Sequence, residues 1–505
     1  MQILTAQQIK AADAYTIAHE PVESIDLMER AAEQCTRWII EQTSADVPVF
    51  IFCGMGNNGG DGLAIARQLN QNGRQATAFL VMYGEHFSPD CEINKTRLEH
   101  HFASPLQAIH HTKDFPDIPD NALIVDALFG TGLSRPLEGL VKEMVEWLNR
   151  QPQDIVAIDL PSGMYADASC KGHAVIKATH TLSFEYWKLA FLMPENAAHT
   201  GEVHILTIGL HPRYTAEVST PYHLTDQEHI RAIYKKRDSF SHKGTFGHAL
   251  LISGSYGKMG AAQLAARACL RSGVGLLTCY IPACGYLALQ TAVPEAMCMA
   301  DDCDRHISKV AGELGQYQAI GIGPGIGRHP ETAGMAEALL SACSRPIVAD
   351  ADMLNILAEK PALLEKLPQG SILTPHPKEF ERLFGKTGND FERLTLLLEK
   401  SKAYHIYIIL KGHYSCVATP EQQLFFNPTG NAGMATGGSG DVLTGILTGL
   451  LAQQYSPLQS CILGMYLHGR AGDLAAEKLS QESMLASDIA ENLGAAFKSL
   501  QKFKL

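Results

Sequence analysis

The sequence is sparing in several respects. Of its 505 residues only 19% are charged and 7% aromatic, and the twelve cysteines show no Cys-x-x-Cys pair or framework spacing. Thiols scattered in this way speak for a reduced cytosolic interior rather than for disulfides or structural zinc. Basic residues are outnumbered, 41 Lys and Arg against 53 Asp and Glu, and a net charge of −12 argues against a nucleic-acid binder. The small cluster Lys235-Lys236-Arg237 reads as solvated surface or linker. Long hydrophobic runs are missing too: 446–452 is broken by Thr and Gly and falls far short of a membrane span. Met1 to Ala6 lack the basic and apolar regions of a signal peptide, so a cytoplasmic location is the expectation. No GxxxxGK[ST] occurs, which excludes a P-loop nucleotidase.

What is present is globular. Hydrophobic residues make up 46%, mean hydropathy is near zero, and the length calls for two or three domains. Residues 1–45 have helical spacing. An apolar run at 47–53 then enters Gly54-Met55-Gly56-Asn57-Asn58-Gly59-Gly60-Asp61-Gly62, and helical periodicity resumes at 63–69. Gly54, Gly56 and Gly59 satisfy a formal GxGxxG, with Glu85 after the next strand as a ribose acid, so a dinucleotide fold is one reading. The loop is more polar than that fingerprint, which favours coordination of a ligand. Strands at 122–125 and 155–158 run into Asp126 and Asp159, and the carboxyl ends of parallel strands are where ligands bind. Oxygen donors from Asn58, Asp126 and Ser162 would suit an alkali or alkaline-earth cation rather than zinc. Periodicity is lost after Gly209, and the domain boundary is expected between 215 and 222.

The second half restarts the alternation, with strands at 248–252, 276–281, 319–322, 346–349, 371–374 and 406–410. Their turns include Gly323-Pro324-Gly325, Asp350-Ala351-Asp352, Thr374-Pro375-His376-Pro377 and Lys411-Gly412-His413. The stretch Gly437-Gly438-Ser439-Gly440-Asp441 opens an apolar helix and reads as an anion cradle, because glycines let successive N–H groups converge at a helix N-terminus. Asp441 beside it suits a base that deprotonates a hydroxyl attacking phosphorus.

The motifs Gly56 to Gly62, Val125 to Gly132 and Asp159-Leu160-Pro161-Ser162-Gly163 resemble those of NAD(P)H-hydrate epimerases. The second half resembles the ADP-dependent NAD(P)H-hydrate dehydratases through Gly323-Pro324-Gly325, Leu373 to Pro377, Leu410-Lys411-Gly412 and Gly437 to Asp441. The resemblance implies two three-layer α/β domains: a Rossmann-like epimerase over 1–215 and a ribokinase-like dehydratase over 222–505. It implies potassium on Asn58, Asp126 and Ser162. Hydrate would contact Asn57, Asn58, Gly59, Gly60, Asp61, the run Gly130-Thr131-Gly132-Leu133-Ser134-Arg135-Pro136, and Asp159. In the dehydratase half Ala261, Gly325, His376 and Asp441 match hydrate contacts, and Lys411, Gly412, His413, Tyr414, Ser415 and Gly440 match nucleotide contacts. The implied partners are hydrated NADH or NADPH and ADP, the latter with Mg2+, in a homo-oligomer that binds neither nucleic acid nor membrane. Asp441 is the expected catalytic base of dehydration. For epimerisation Asp126 or Asp159 moves the proton, with Asp126 favoured because a metal ligand would be fixed at the reacting carbon. Two other readings use the same residues: a ribokinase-type small-molecule kinase, and a non-catalytic nicotinamide-nucleotide binder.

Overall fold

The structure, a computed structural model, describes residues 1–101 and 106–501; the end of the second expected domain, 502–505, lies outside the described residues. The chain divides into two compact units. One is Gln2–Thr220 with Asn389–Phe391, the other Pro221–Gly388 and Glu392–Leu505 with Met1.

Among the described residues the first unit has seven strands: β1 (Val49–Cys53), β2 (Ala76–Val81), β3 (Leu106–Ile109), β4 (Leu123–Ala127), β5 (Ile155–Ile158), β6 (His180–Phe184) and β7 (Glu202–Leu206). All neighbours are parallel, in the order β3-β2-β1-β4-β5-β6-β7. Alternate residues of β1 serve opposite faces. Val49, Ile51 and Cys53 pack with Leu63, Ala66 and Leu69 of the helix Asn57–Gln71, while Phe50 and Phe52 pack with Met144, Val145 and Leu148 of the helix Gly139–Leu148. Helices on both faces explain why these strands read as unbroken apolar runs. The strand order reverses between β1 and β4, the point at which open parallel sheets hold ligands beyond their carboxyl ends.

The second unit is built on ten strands among the described residues: β8 (Tyr222–Leu224), β9 (His248–Ile252), β10 (Leu276–Ile281), β11 (Met297–Ala300), β12 (Ala319–Ile322), β13 (Ile347–Ala349), β14 (Ile372–Leu373), β15 (Tyr407–Leu410), β16 (Cys416–Ala418) and β17 (Leu424–Phe426). Their order is β11-β10-β9-β12-β13-β14-β15-β16-β17-β8, with the reversal between β9 and β12. β16 runs antiparallel to both neighbours. β3, β8, β11, β16 and β17 are not among the strands expected from the sequence; β3, β8 and β11 are edge strands, only partly buried, and so less constrained to be apolar. The helical stretch expected over 1–45 divides into Ala6–His19 and Ser24–Gln42, with Pro21 between them, as a residue without an N–H and with a fixed φ requires.

One helix of this unit, Ser439–Ala452, is buried on every side from Val442 onward. It lies against the helix Met259–Arg271 because Gly445 and Gly449 face it. A Cβ added there would come within 2.1 Å of the Ala265 carbonyl and 2.0 Å of the Ser272 hydroxyl. That contact holds the first turn, Ser439 to Asp441, in place.

The segment 216–220 is fastened to the first unit. Gln2 Nε2 donates to the Val218 carbonyl at 3.0 Å, Gln8 Nε2 to that of Ser219 at 2.8 Å, and Thr220 Oγ1 to that of Ile3 at 2.8 Å. A fragment 2–220 is therefore expected to melt cooperatively. One truncated at 215 loses these three bonds, each worth ~1 kcal/mol, and should melt about 5–10 °C lower by circular dichroism.

Candidate functional site

In the first unit the carboxyl ends of β1, β4, β5 and β6 bring a polar cluster together. Asn58 lies in the first turn of the helix Asn57–Gln71, and its side chain is buried with neither Oδ1 nor Nδ2 hydrogen-bonded. Gly130 leaves room beside it: a Cβ there would meet Asp159 Oδ2 at 2.5 Å and Asn58 Oδ1 at 3.2 Å. Two side-chain oxygens thus flank one small gap. An unpartnered buried amide is costly unless a ligand completes it.

Asp159 follows β5 with a φ of 68°, a left-handed conformation that strains a non-glycine residue. Its carboxylate is well held there. Oδ2 accepts from the N–H of Thr131 at 2.7 Å and from its hydroxyl at 2.6 Å, and Oδ1 meets the ammonium of Lys188 at 2.8 Å. Burial pushes this carboxyl up, but Lys188 and Thr131 outweigh burial and hold it below its ordinary value. Lys188 itself is fully buried and also donates to Ser183. Among the described residues Asp61 and Asp13 have no such hydrogen-bonded partner. Burial, then the charges of Asp159 and Asp13, push Asp61 far up; burial, then Asp159, raise Asp13 to about 6. Asp126 is wholly buried and turned inward. Its oxygens accept from the Ser162 hydroxyl at 2.6 Å, the Ser162 N–H at 2.8 Å and the Leu128 N–H at 3.3 Å, and burial raises it to about 6 against those bonds. Ser162 Oγ in turn accepts the Phe129 N–H at 2.9 Å, so Asp126 and Ser162 brace the loop that carries Gly130 and Thr131. Gly132, Ser134, Arg135 and Pro136 form the exposed rim of that loop, with Leu133 half-buried. Gly59 and Gly60 serve packing: a Cβ would come within 1.8 Å of the Gly54 carbonyl at the first and 2.8 Å of Met28 at the second.

The second unit has a cavity of about 450 Å³ between the loops after β9 and β12, lined by Ala261, Gly325, Asp352, Glu379 and Asp441 among others. Gly438, with a φ of 95°, starts the helix Ser439–Ala452, so Asp441 lies in its first turn. Gly437 has open space where a side chain would project. A Cβ on Gly440 would sit 3.2 Å from Lys411 Nζ and 3.4 Å from Asp350 Oδ2. Asp350 is buried and accepts from Lys411 at 2.9 Å and from Thr444 Oγ1 at 2.9 Å. Asp441 receives neither bond. Burial, then the charge of Asp350, raise it to about 7, with Lys411 opposing. His376 caps the helix Pro377–Phe384, its Nδ1 accepting the N–H groups of Lys378 and Glu379. Glu379 Oε2 lies 4.0 Å from Lys411, which links His376 to the cradle. Gly412 and Ser415 close a turn, the Gly412 N–H donating to Ser415 Oγ at 3.1 Å; His413 is exposed and Tyr414 half-buried.

The structure therefore gathers Ala261, Gly325, Glu379 and Asp441 around one cavity; Gly440 stands beside Lys411 and Asp350, and His376 caps the helix that carries Glu379. Sequence reasoning missed four residues. Lys188 had a signal, a lone lysine in the apolar run 186–192. Asp350 was visible as a strand-end carboxylate without a role. His468, whose Nε2 lies 3.0 Å from the Ser439 carbonyl and which burial lowers to about 4, and Asp13 had none.

A family model described as "YjeF-related protein N-terminus" matches residues 24–190, and one described as "NAD(P)H-hydrate dehydratase" matches 249–494. A bifunctional NAD(P)H-hydrate repair enzyme of Moorella thermoacetica is 34% identical over 517 residues, covering 99% of this chain and 98% of the relative. Its counterpart in Escherichia coli K12 is 33% identical over 446 residues, covering 88% and 84%. A solved ribokinase-like superfamily protein of Enterococcus faecalis V583 aligns with a TM-score of 0.50 at 26% identity, over 56% of this chain and 98% of that one.

Replacing Lys188 by Met should leave Asp159 as an uncompensated buried charge and cost roughly 3–5 kcal/mol in urea denaturation at neutral pH, most of it recovered in the double variant with Asp159→Asn. Asp441 should behave in the opposite way. Its folded pKa lies above the ordinary value, so its stabilising contribution is present at low pH and lost as pH rises through about 7. Asp441→Asn should accordingly melt above wild type at about pH 8, the gap closing toward about pH 4.

Proposed function

The chain belongs to the bifunctional NAD(P)H-hydrate repair enzymes, and from that premise we propose how its two sites divide the work. The first unit epimerises hydrated NADH and NADPH, interconverting the R and S forms. The second dehydrates the S form to NAD(P)H at the expense of ADP. One observation carries the dehydratase reading: a carboxylate, Asp441, stands beside a helix-N-terminal glycine turn with the Lys411 ammonium next to Gly440.

The hydrate carries a hydroxyl on C6 of the nicotinamide ring, and hydroxide leaves poorly. Asp441 takes the hydroxyl proton as the oxygen attacks the β-phosphorus of ADP, and AMP departs as the P–O bond breaks. Backbone N–H groups of Gly437 to Gly440 and the Lys411 ammonium stabilise the transferring phosphoryl charge, each such donor being worth roughly 3–4 kcal/mol. The ring nitrogen then expels phosphate from C6, and loss of the C5 proton restores the dihydropyridine. Asp350 holds Lys411 in place, and Gly325, Ala261 and His376 border the hydrate. The turn from Gly412 to Ser415 receives the nucleotide. Asp352 offers a hard oxygen donor that would hold magnesium with ADP, whose charge would neutralise the phosphates.

At the epimerase site the unpartnered Asn58 amide, with Asp126 and Ser162 beneath the loop, offers the all-oxygen surroundings that suit potassium. That ion would hold a substrate oxygen. Asp159 borders Gly130 and Thr131, whereas Asp126 is spent on Ser162 and Leu128, so Asp159 is the better placed of the two to move a proton at the hydrate. Asn57 and the rim from Gly132 to Pro136 would contact the remainder of the dinucleotide.

Incubation with hydrated NADH and ADP should regenerate absorbance in the dihydropyridine band with AMP and phosphate released. A stable phosphorylated product instead would mark a kinase. Asp441→Asn should lower dehydration by roughly 10²–10⁴-fold while ADP still binds by calorimetry; turnover within about tenfold of wild type would remove Asp441 from the role of base. Replacing potassium by a large organic cation should slow R-to-S conversion, and an unchanged rate would return Asn58, Asp126 and Ser162 to substrate binding alone.

A further inference from the structure

Neither reaction uses a cluster of four side chains in the second unit, two from the segment 301–308 and two from the start of the helix Pro330–Ala342. Cys303 Sγ lies 3.4 Å from Nδ1 and 3.6 Å from Nε2 of His306. The same His306 Nε2 is 2.6 Å from Glu331 Oε2, and its ring stacks on His329 at a centroid distance of 3.8 Å. His306, His329 and Glu331 each place a ligand atom within 4.8 Å of the other two.

We propose that Cys303, His306, His329 and Glu331 form a binding site for a zinc-class divalent cation. The donor set is the first argument. A thiolate, two imidazoles and a carboxylate match the borderline-soft preference of zinc, whereas magnesium and calcium want oxygen alone. Spacing is the second. With Zn–S near 2.3 Å and Zn–N near 2.0 Å, two ligands of a tetrahedral ion stand roughly 3.5 Å apart; Cys303 Sγ and His306 Nε2 stand 3.6 Å apart, and the thiol must close on His329 and Glu331 to complete the set. A nitrogen and an oxygen on the same ion would be roughly 3.3 Å apart, so the bond from His306 to Glu331 must open by less than ~1 Å. The Glu331 side chain is 60% exposed and free to swing. His329 Nδ1 accepts the Glu331 N–H at 3.3 Å, a long helix-capping bond that yields readily to a metal. Charge is the third argument: Cys303 as thiolate and Glu331 as carboxylate balance a divalent ion. The neighbouring cations are engaged elsewhere, Arg305 over the Tyr256 ring at 3.7 Å and Lys309 on Asp302.

The position gives such an ion a purpose. The Arg305 carbonyl accepts the Tyr256 N–H at 2.9 Å in the loop after β9, and Gly327, two residues before His329, donates to Asp352 Oδ2 at 2.9 Å in the cavity wall. An ion joining Cys303 and His306 to His329 and Glu331 would brace both loops.

The test uses the full chain without an affinity tag, desalted and titrated with cobalt(II) as a spectroscopic stand-in for zinc. About one equivalent should produce intense tetrahedral ligand-field bands in the visible and a sulfur-to-cobalt charge-transfer band in the near ultraviolet, and zinc should displace both. Cys303→Ala should lose the charge-transfer band. Glu331→Gln should keep the band but bind more weakly, and His306→Ala should weaken binding by roughly 100-fold or more, beyond the loss of an outer-shell partner. Zinc should raise the melting temperature of the wild type and not of Cys303→Ala. Weak octahedral bands with no charge transfer, or a charge-transfer band that survives in Cys303→Ala, would overturn the assignment.

Discussion

Each site turns on a single ammonium, fully buried at Lys188 and partly buried at Lys411, that chooses one carboxylate among several. Lys188 takes Asp159 and Lys411 takes Asp350, both at the ends of parallel strands. Removal of either cation would leave a carboxylate in a place where an unpaired charge is expensive. The neighbours respond to burial first and to the paired carboxylates second. Burial, then the charge of Asp159, make Asp61 and Asp13 keep their protons more tightly than exposed carboxyls do; burial, then the charge of Asp350, raise Asp441 to about 7 against the pull of Lys411. Pairs of like groups whose surroundings push their pKa values apart are how one fold supplies an acid and a base at neutral pH.

The shape of each crevice follows from strand order. Where the order reverses, the loops after two adjacent strands diverge to opposite faces and leave a cleft. In the first unit that cleft opens beyond β1 and β4, between the Gly56 to Asp61 turn and the Gly130 to Pro136 loop. In the second it opens beyond β9 and β12, where the cavity lies. Small residues are used where the backbone must come close, and polar ones where a ligand must be held. Gly445 and Gly449 are the sharpest instance, because the cradle's position depends on how near two helices can lie.

The two tasks place opposite demands on their carboxylates. Dehydration by phosphoryl transfer asks for a base able to accept a proton beside a cluster of positive potential, the role proposed for Asp441 with Lys411 and the helix N-terminus. Epimerisation needs no phosphoryl donor, only groups that hold a hydroxyl and move a proton at C6. Asp159, held below its ordinary value, and Asp61, pushed well above it by burial and by the charge of Asp159, bring two carboxyls of opposite tendency into one crevice.

Much of this was legible in the chain itself. The two α/β halves, their strand-end loops, the glycine turn before the helix Ser439–Ala452 and the roles of Asn58, Asp126, Asp159 and Asp441 as candidates all lie in contiguous motifs, where apolar periodicity and glycine placement act over a few residues. Local patterns cannot report who pairs with whom across the sheet. That Lys188 is buried against Asp159 29 residues away, that Asp350 reaches Lys411 and Thr444 across separations of 61 and 94, and that Asp126 turns inward to Ser162 follow from neighbouring strands brought into register. The same holds for protonation. It depends on how much solvent and which charges surround a carboxyl, quantities that exist only once distant segments have packed, so residue types and candidate positions belonged to the sequence, and ionisation and pairing to the tertiary structure.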